Sequence, residues 1–332
     1  MPSGCLPVPP NGAGRGVGRR GARRTRSCES LQAEVGMGLS LRHEREMWKN
    51  GVRVITFDAL QEALPPPARQ VIAVGSGKGG VGKSTVSLNL ALALAEGGST
   101  VGLLDADFHG PNIPLMVGLK REKWTVNWTM ASRRPADQQP IPPIERFGLK
   151  LMSAGFILGE DQPLTLDAGT MRFLIQQLVR QVDWGDLAYM VVDLPPGTAD
   201  TQQMLLKSLL LAGAVLVVTP QDVAHLDARK AITMFTRAGV PLLGGVENMS
   251  GFLCPHCGEP IDIFSRVPAE RAIWAQGVRR LGVVPLDPAV SGAGDTGRPV
   301  MVDQPQSRQA EVFRAIAQHI RRALQDLEEN AS

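Results

Sequence analysis

The sequence lacks any apolar run long enough to cross a membrane. The longest, LLLAGAVLVV at residues 209–218, is well short of the roughly 20 residues that a transmembrane helix needs, and it suits a buried parallel strand and its approach. Cysteine is scarce, with 4 in 332 residues. This excludes a disulfide-stabilised secreted scaffold and favours a reducing compartment.

Acidic residues are missing from the first 28 positions, which carry six arginines. This segment also lacks the apolar core of a secretory signal. Its composition partly fits a mitochondrial transit peptide, but it is poor in serine and has no amphipathic periodicity. A true start at Met37 or Met47 is a third interpretation. We predict a disordered head at residues 1–45 and a linker at 46–69, in a cytoplasmic protein or, alternatively, one of the mitochondrial matrix.

The net charge of +3 is unevenly distributed. Residues 1–30 carry six arginines and one glutamate, and the rest of the chain is slightly acidic. The sequence pI of about 8.8 therefore reflects the head, and it gives no argument that the folded part binds nucleic acid. We predict no nucleic-acid partner.

From residue 70 onward, apolar strand-like runs alternate with helix-like segments. The predicted strands are 71–75, 101–105, 189–193, 214–219, 242–246 and 281–284. The predicted helices are 84–96, 170–182, 201–211, 226–238 and 309–327. Strands that are apolar on both faces are typical of parallel sheets covered by helices. The alternation predicts a single doubly wound α/β domain over residues 70–328, with a polar, proline-rich surface insertion at 120–148.

The strongest motif is a phosphate-binding loop. GKGGVGKS at residues 77–84 fits G-x-x-x-x-G-K-[ST] and lies between a predicted strand and a predicted helix. Lys83 can reach the β- and γ-phosphates of a nucleotide, and the Ser84 hydroxyl can bind Mg²⁺. The predicted nucleotide-binding positions are Gly77, Lys78, Gly79, Gly80, Val81, Gly82, Lys83, Ser84 and Thr85. Lys78 is a second lysine, beyond the one that this motif requires.

Acidic residues follow two of the predicted strands. Asp193 ends YMVVD and can support the magnesium shell, and Gly197 lies beyond it with a backbone N–H that can reach a γ-phosphate. Asp105 ends VGLLD and Asp107 lies two residues further on; one can support the magnesium shell and the other can orient the attacking water. Three carboxylates at strand ends around one phosphate-binding loop indicate a nucleotide-hydrolysing site.

Cys254 and Cys257 form the chain's single C-x-x-C. Thiolate sites for zinc or for an iron–sulfur cluster need four ligands, so one pair is not enough. Two chains related by a two-fold axis would supply four thiolates to a shared site. From the residues alone, a bridging [4Fe–4S] cluster, a bridging zinc ion and a redox-active dithiol remain open.

Taken together, several segments resemble one family. They are KGGVGKST, DADFHGPNIP, VVDLPPGTAD, TPQDVAHLDARKA and GGVENMSGFLCPHCG, in this order along the chain. They are similar to the Mrp-type iron–sulfur cluster carriers among the MinD/ParA/NifH-like P-loop ATPases with a deviant Walker A loop, over about residues 70–303. The resemblance implies a homodimer that binds ATP and hydrolyses it slowly. Such a dimer holds a bridging [4Fe–4S] cluster on Cys254 and Cys257, accepts it from a donor and transfers it to apoproteins.

The resemblance also implies roles for single residues. Lys78 corresponds to the signature lysine, which in the family reaches the nucleotide of the partner subunit. Asp107 corresponds to the water-orienting aspartate, and Asp193 to the Walker B position that supports Mg²⁺. Asn248 corresponds to the asparagine that reads the adenine edge.

The C-terminal segment leaves a second function open. Apolar residues lie on one face of the predicted helix: Phe313, Ile316, Ile320, Leu324 and Leu327. Because arginines lie elsewhere on it, this helix could bind a membrane surface, which would suit a MinD/ParA-like positioning ATPase that acts on a membrane or nucleoid. The other interpretation, packing on the sheet, predicts no stable membrane anchor.

Overall fold

The computed structural model describes residues 66–108, 110–119, 140–156, 168–197, 200–254 and 256–331, with the strand residues 47–49 and 52–54. The predicted head lies outside these residues, as do positions 120–139 of the predicted insertion. Within the predicted linker, β1 (Met47–Lys49) pairs with β2 (Val52–Val54) in antiparallel fashion. None of the helices in the described ranges combines the length and the apolar composition needed to cross a bilayer.

The main unit is built on a nine-stranded, mostly parallel sheet. Its strands are β3 (Gln70–Ser76), β4 (Val101–Asp105), β5 (Ile144–Arg146), β6 (Leu149–Ser153), β7 (Tyr189–Asp193), β8 (Gly213–Val218), β9 (Leu242–Leu253), β10 (Pro260–Ile261) and β11 (Arg280–Leu286). Across the sheet the order is β5-β6-β4-β7-β3-β8-β9-β11, and β10 pairs with the far end of β9. Only the β5 and β10 pairings are antiparallel in this sheet as described. All six predicted strands are confirmed.

Helices cover both faces of this sheet. They are α1 (Lys83–Ala95), α2 (Ile113–Met116), α3 (Ala168–Arg180), α4 (Asp200–Ser208), α5 (Asp222–Arg237), α6 (Pro288–Asp295), α7 (Val300–Asp303) and α8 (Arg308–Ala331). Gly282 of β11 is in register with Val246 of β9 and faces Ile316 of α8. Gly245, the residue before Val246, faces Trp274, which packs beside α5. Because successive strand residues face opposite sides, α5 and α8 cover opposite faces, and the doubly wound prediction is confirmed.

Strands β5, β6 and β9 differ from the sequence prediction for identifiable reasons. β6, with the sequence LKLMS, was not predicted because it has no β-branched residue; its place is set by parallel pairing with β4, from Val101↔Leu149 to Asp105↔Ser153. β5 occupies the end of the predicted insertion and pairs with β6 at the edge of the sheet. β9 runs past the predicted end at residue 246, since pairing with β11 and β10 extends it through polar residues and glycines.

The C-terminal helix α8 packs onto the sheet and onto α1. Its residues Phe313, Ile316 and Ile320 are completely buried, and Leu324 is nearly so. Burial of aliphatic and aromatic side chains of this size contributes roughly 1.5–3 kcal/mol each. The packing interpretation is confirmed, and the apolar face that motivated a membrane-binding function is occupied by the protein's own core except at Leu327, which is 37% exposed.

Candidate functional site

The loop between β3 and α1 forms a backbone cradle that only glycine can build. A Cβ on Gly77 would lie 2.2 Å from the backbone carbonyl carbon of Asp227, and one on Gly82 would lie 2.2 Å from Asn248 Nδ2. Gly82 also has a φ of +80°, a conformation that side chains disfavour. The loop ends at the N-terminus of α1, where backbone N–H groups and the helix dipole favour a phosphate.

Lys83 lies at the centre of the site as a buried cation. Its Nζ is 2.9 Å from Asp193 Oδ1 and 3.6 Å from Asp107 Oδ2. Burial alone would lower the pKa of Lys83, but the carboxylates of Asp193 and Asp107 outweigh it and raise the pKa above 10.5. The structure therefore brings together three of the predicted site residues and keeps Lys83 charged beside the phosphate cradle.

Two hydroxyl groups of α1 converge on Asp193. Ser84 Oγ donates to Asp193 Oδ2 at 2.6 Å, and Ser87 Oγ donates to Asp193 Oδ1 at 2.7 Å. Ser87 was missed from the sequence, although it lies one helical turn beyond Ser84, on the same face of α1. Its hydrogen bond fixes the Asp193 carboxylate against the helix.

The two aspartates at the end of β4 occupy different environments. Asp105 is completely buried; Ser153 Oγ donates to its Oδ2 at 2.8 Å, and the backbone N–H of Asp107 donates to its Oδ1 at 3.2 Å. Asp107 lies nearer the cradle, and its Oδ1 accepts from the Gly110 N–H at 3.2 Å. Asp105 thus supports the main chain at Asp107. Ser153 is a second residue that sequence reasoning missed, because β6 itself was not predicted.

The raised pKa of Asp105 predicts a pH-dependent stability. Burial, followed by the negative charge of Asp193, raises this pKa from 3.8 to about 7. The folded chain then binds a proton more tightly than the unfolded chain, so stability falls as pH rises between these two values. Asparagine mimics the protonated carboxyl, so Asp105→Asn should gain stability relative to the natural chain as pH rises through this interval and keep a constant advantage above it.

Urea unfolding of both proteins without nucleotide, at about pH 4.5, 6 and 8, measures this difference. A difference in the free energy of unfolding that does not change with pH would contradict the assignment of a raised pKa to Asp105.

Lys78 is placed apart from Lys83. Its Nζ is 3.3 Å from Gln221 Oε1, and it lines an open groove of about 580 Å³ with residues that include Asp222, Arg266 and Arg271. Lys83, by contrast, has its ammonium between two carboxylates. Within one chain, the two lysines of the loop therefore lie in different environments: Lys78 lines an open groove, and Lys83 is buried between two carboxylates.

Two other predicted nucleotide contacts are engaged in the protein's own hydrogen bonds. Asn248 is buried, and its Nδ2 donates to the Val81 carbonyl at 2.8 Å. The Gly197 N–H donates to the Ser76 carbonyl at 3.2 Å. Both residues contact the phosphate loop or the strand before it. Their predicted contacts with adenine and γ-phosphate remain predictions, and Gly197 would have to exchange its present hydrogen bond to make one.

Cys254 and Cys257 lie in a tight hairpin between β9 and β10. The Cys254 N–H donates to the Glu259 carbonyl at 2.9 Å, and the Gly258 N–H donates to the Cys254 carbonyl at 2.8 Å. Cys254 is half-buried and Cys257 is exposed. Hydrogen bonds from the backbone N–H groups of Cys257 and then His256 lower the pKa of Cys254, which favours the thiolate that binds metals.

The hairpin presents two thiol ligands and little else. Within the described ranges of the chain, no group of three or more His, Cys, Asp and Glu side chains is placed to hold a metal ion. Four-coordinate thiolate sites need four ligands. Cys5 and Cys28, the remaining cysteines, lie outside the described residues. The geometry fits half of a metal site.

Comparison with known proteins identifies the family. Residues 67–321 match the model described as ParA, NUBPL iron-transfer P-loop NTPase. The chain is 42% identical over 263 residues to the "Iron-sulfur protein required for NADH dehydrogenase, mitochondrial" of Arabidopsis thaliana, which covers 79% of this chain and 81% of that one. It is 44% identical over 254 residues to the "Iron-sulfur cluster carrier protein" of Aquifex aeolicus, which covers 76% of this chain and 67% of that one.

A solved structure agrees with this result. The nucleotide-binding protein from Archaeoglobus fulgidus in complex with ADP has a TM-score of 0.60 and 36% identity, over 74% of this chain and 93% of that one. Together with the cradle, the buried lysine and the paired carboxylates, these matches lead to one conclusion: the chain belongs to the NUBPL iron-transfer family of ParA-type P-loop NTPases.

Proposed function

We propose that this protein is a homodimeric ATPase that carries a [4Fe–4S] cluster between its two chains and transfers it to apoproteins. The observation that carries the proposal is that one strand, β9, contacts the phosphate loop and also leads into the cysteine hairpin. β9 contacts the phosphate loop through Asn248 and ends at Leu253, the residue directly before Cys254. A nucleotide site and half of a metal site are thus connected by about six residues of continuous backbone.

The nucleotide site supports ATP hydrolysis, and a slow rate is what the family resemblance implies. Lys83 is held by Asp193 and Asp107, and we infer that it exchanges the Asp193 contact for phosphate oxygens when ATP binds. Asp107 would then accept a hydrogen bond from the attacking water and orient it in line with the γ-phosphate. Lys78, beside Gln221, would reach the nucleotide of the partner subunit.

Ser84 and Asp193 are the residues proposed to hold Mg²⁺. Their oxygens are 2.6 Å apart beside the cradle, and a hydroxyl with a carboxylate is the oxygen donor set that this ion prefers. When bound there, Mg²⁺ would neutralise charge that develops on the phosphates. Ser87 would keep the Asp193 carboxylate oriented throughout.

The proposal that the protein carries a cluster is based on the number of cysteine thiolates that two chains supply. One hairpin supplies two thiolates, and a two-fold axis through the cysteine hairpins supplies four, which satisfies a [4Fe–4S] cluster without further residues. The Aquifex aeolicus relative is named as a cluster carrier, which supports a cluster over zinc. The proposed partners are a second copy of the chain, a cluster donor and apoprotein clients.

The proposed compartment is a reducing one. The cysteine hairpin must remain reduced to accept a cluster, and both the bacterial cytoplasm and the mitochondrial matrix meet this condition. The similar proteins include one from a bacterium and one described as mitochondrial. Sequencing the N-terminus of the mature protein decides between them.

A transfer assay tests the proposed function. Protein loaded with iron and sulfide under strict anaerobiosis is mixed with an enzyme whose own [4Fe–4S] cluster has been removed, and recovered enzyme activity reports the transfer. We expect recovery that exceeds recovery from equal amounts of free iron and sulfide in the presence of a chelator. If enzyme activity recovers no faster than it does with the free ions, the protein is not a cluster carrier.

A further inference from the structure

A distortion in β9 lies between the phosphate loop and the cysteine hairpin. Asn248 pairs with Val284 of β11, and Phe252 pairs with Leu286, so four residues of β9 advance where two residues of β11 do. Within this bulge, Met249 has a φ of +56° and Gly251 has a φ of +76°. Bulges of this kind redirect a strand and are common beside functional sites. Strand β9 therefore changes direction shortly before it reaches Cys254.

A buried carboxylate holds the bulge in place. The Glu247 side chain is only 4% exposed. Ser250 Oγ, inside the bulge, donates to its Oε1 at 2.5 Å, and Trp274 Nε1 donates to its Oε2 at 3.2 Å. Arg266 and Arg280 each place a guanidinium nitrogen within 3.4 Å of a different carboxylate oxygen. Three hydrogen bonds and the ion pair with Arg280 make the position of this buried carboxylate well defined.

One of the two arginines, Arg266, also connects Glu247 to the base of the cysteine hairpin. Arg266 makes hydrogen bonds of 2.9 to 3.1 Å with the carboxylate of Asp262, the residue that directly follows β10 at the base of the hairpin. The N–H of Val267, the next residue, donates to the Pro220 carbonyl in the loop after β8 at 2.8 Å. Arg280 lies on β11 instead and stacks over the Trp274 ring.

We propose that Glu247 is a positioning residue that couples the cysteine hairpin to the nucleotide site, with Arg266 and Asp262 as its tether. The inference deepens the proposed function and depends on it for its biological meaning. The phosphate loop holds Asn248 through the Val81 carbonyl, so a shift of this loop on nucleotide binding moves the start of the bulge. Glu247 passes this shift to the base of the hairpin through Arg266 and changes the setting of Cys254 and Cys257.

Two arginine variants separate this tether from general loss of charge. Arg266→Gln breaks the link between Glu247 and Asp262, and Arg280→Gln removes the other arginine from the same carboxylate. Both arginines are about half-exposed, which makes both substitutions compatible with folding. The full-length, reduced, metal-free protein is alkylated with N-ethylmaleimide, with and without Mg²⁺ and ATP, and the rate at each cysteine is measured by peptide mass spectrometry. Cys5 and Cys28 serve as internal comparisons.

In the natural chain, ATP is expected to change the alkylation rate of Cys254 or Cys257 by about fivefold or more, a typical size for coupling between two sites. Arg280→Gln should keep this response and Arg266→Gln should lose it, with equal ATP affinity in both variants. Arg266→Lys should restore part of it. The inference is overturned if the natural chain shows no response, if Arg266→Gln keeps it, or if both glutamine variants lose it equally. Because no cluster is present, these outcomes are independent of whether the transfer assay succeeds.

Discussion

Replacing Cys254 by alanine is expected to abolish the binding of iron and sulfide. Anaerobic reconstitution of the natural chain should give about four iron ions for every two chains, the content of one [4Fe–4S] cluster. In the variant, each chain would offer a single thiolate, so a dimer would offer two where the cluster needs four. Iron and sulfide analysis after gel filtration, with the visible absorption spectrum, measures the loss.

A neighbouring substitution provides the matched control. His256→Ala removes the imidazole between the cysteines but keeps the backbone N–H that donates to Cys254, so its iron content should equal that of the natural chain. The account of the cysteine site would be wrong if Cys254→Ala, or the double variant with Cys257→Ala, still holds a cluster. Parallel zinc analysis is needed because a C-x-x-C pair from each chain also suits zinc.

The second large effect is expected for Lys78→Ala. Lys83 remains between Asp193 and Asp107 in this variant, so ATP binding to one chain should change by less than about threefold in Kd. ATP hydrolysis should fall by about a hundredfold or more, because the cation proposed to reach the partner's phosphates is gone. Tightening of the dimer by ATP should disappear as well. Equilibrium binding, phosphate release and sedimentation velocity with ATP measure the three quantities.

The contrast with the other lysine makes this test specific. Lys83→Ala removes the buried cation from the cradle and should lose nucleotide binding itself, whereas Lys78→Ala should not. Equal loss of ATP binding in both variants would contradict the assignment of the two lysines to different nucleotides. Normal hydrolysis in Lys78→Ala would contradict it equally.

The elements that sequence predicted correctly are those whose signal is local. The strands of the central sheet are continuous apolar runs, and the phosphate loop has a fixed spacing of glycine and lysine. β6 and the second half of β9 could not be predicted, because nothing within their own residues specifies a strand. Their conformation comes from hydrogen bonds to other strands, which are β4 for β6, and β10 and β11 for β9.

In the site, too, the residues that belong to a motif could be predicted from the sequence, whereas the residues that hold them in position could not. Lys83, Asp107 and Asp193 were predicted from motifs and are brought together by the fold. Ser153 and Glu247 contact the site only through other residues, so no motif marks them. A buried glutamate in an apolar strand is nevertheless a usable signal, since a carboxylate in such a place requires several donors. Its two arginines come from a loop and a strand that follow β9 in the chain.

The central claim is that two chains share one cluster, and native mass spectrometry of the anaerobically reconstituted protein tests it most directly. The account predicts a species with the mass of two chains plus one [4Fe–4S] cluster, which separates into cluster-free single chains when the cluster is destroyed by oxygen. A single chain that retains a cluster, or a two-chain species that holds only zinc after reconstitution with iron and sulfide, would contradict it.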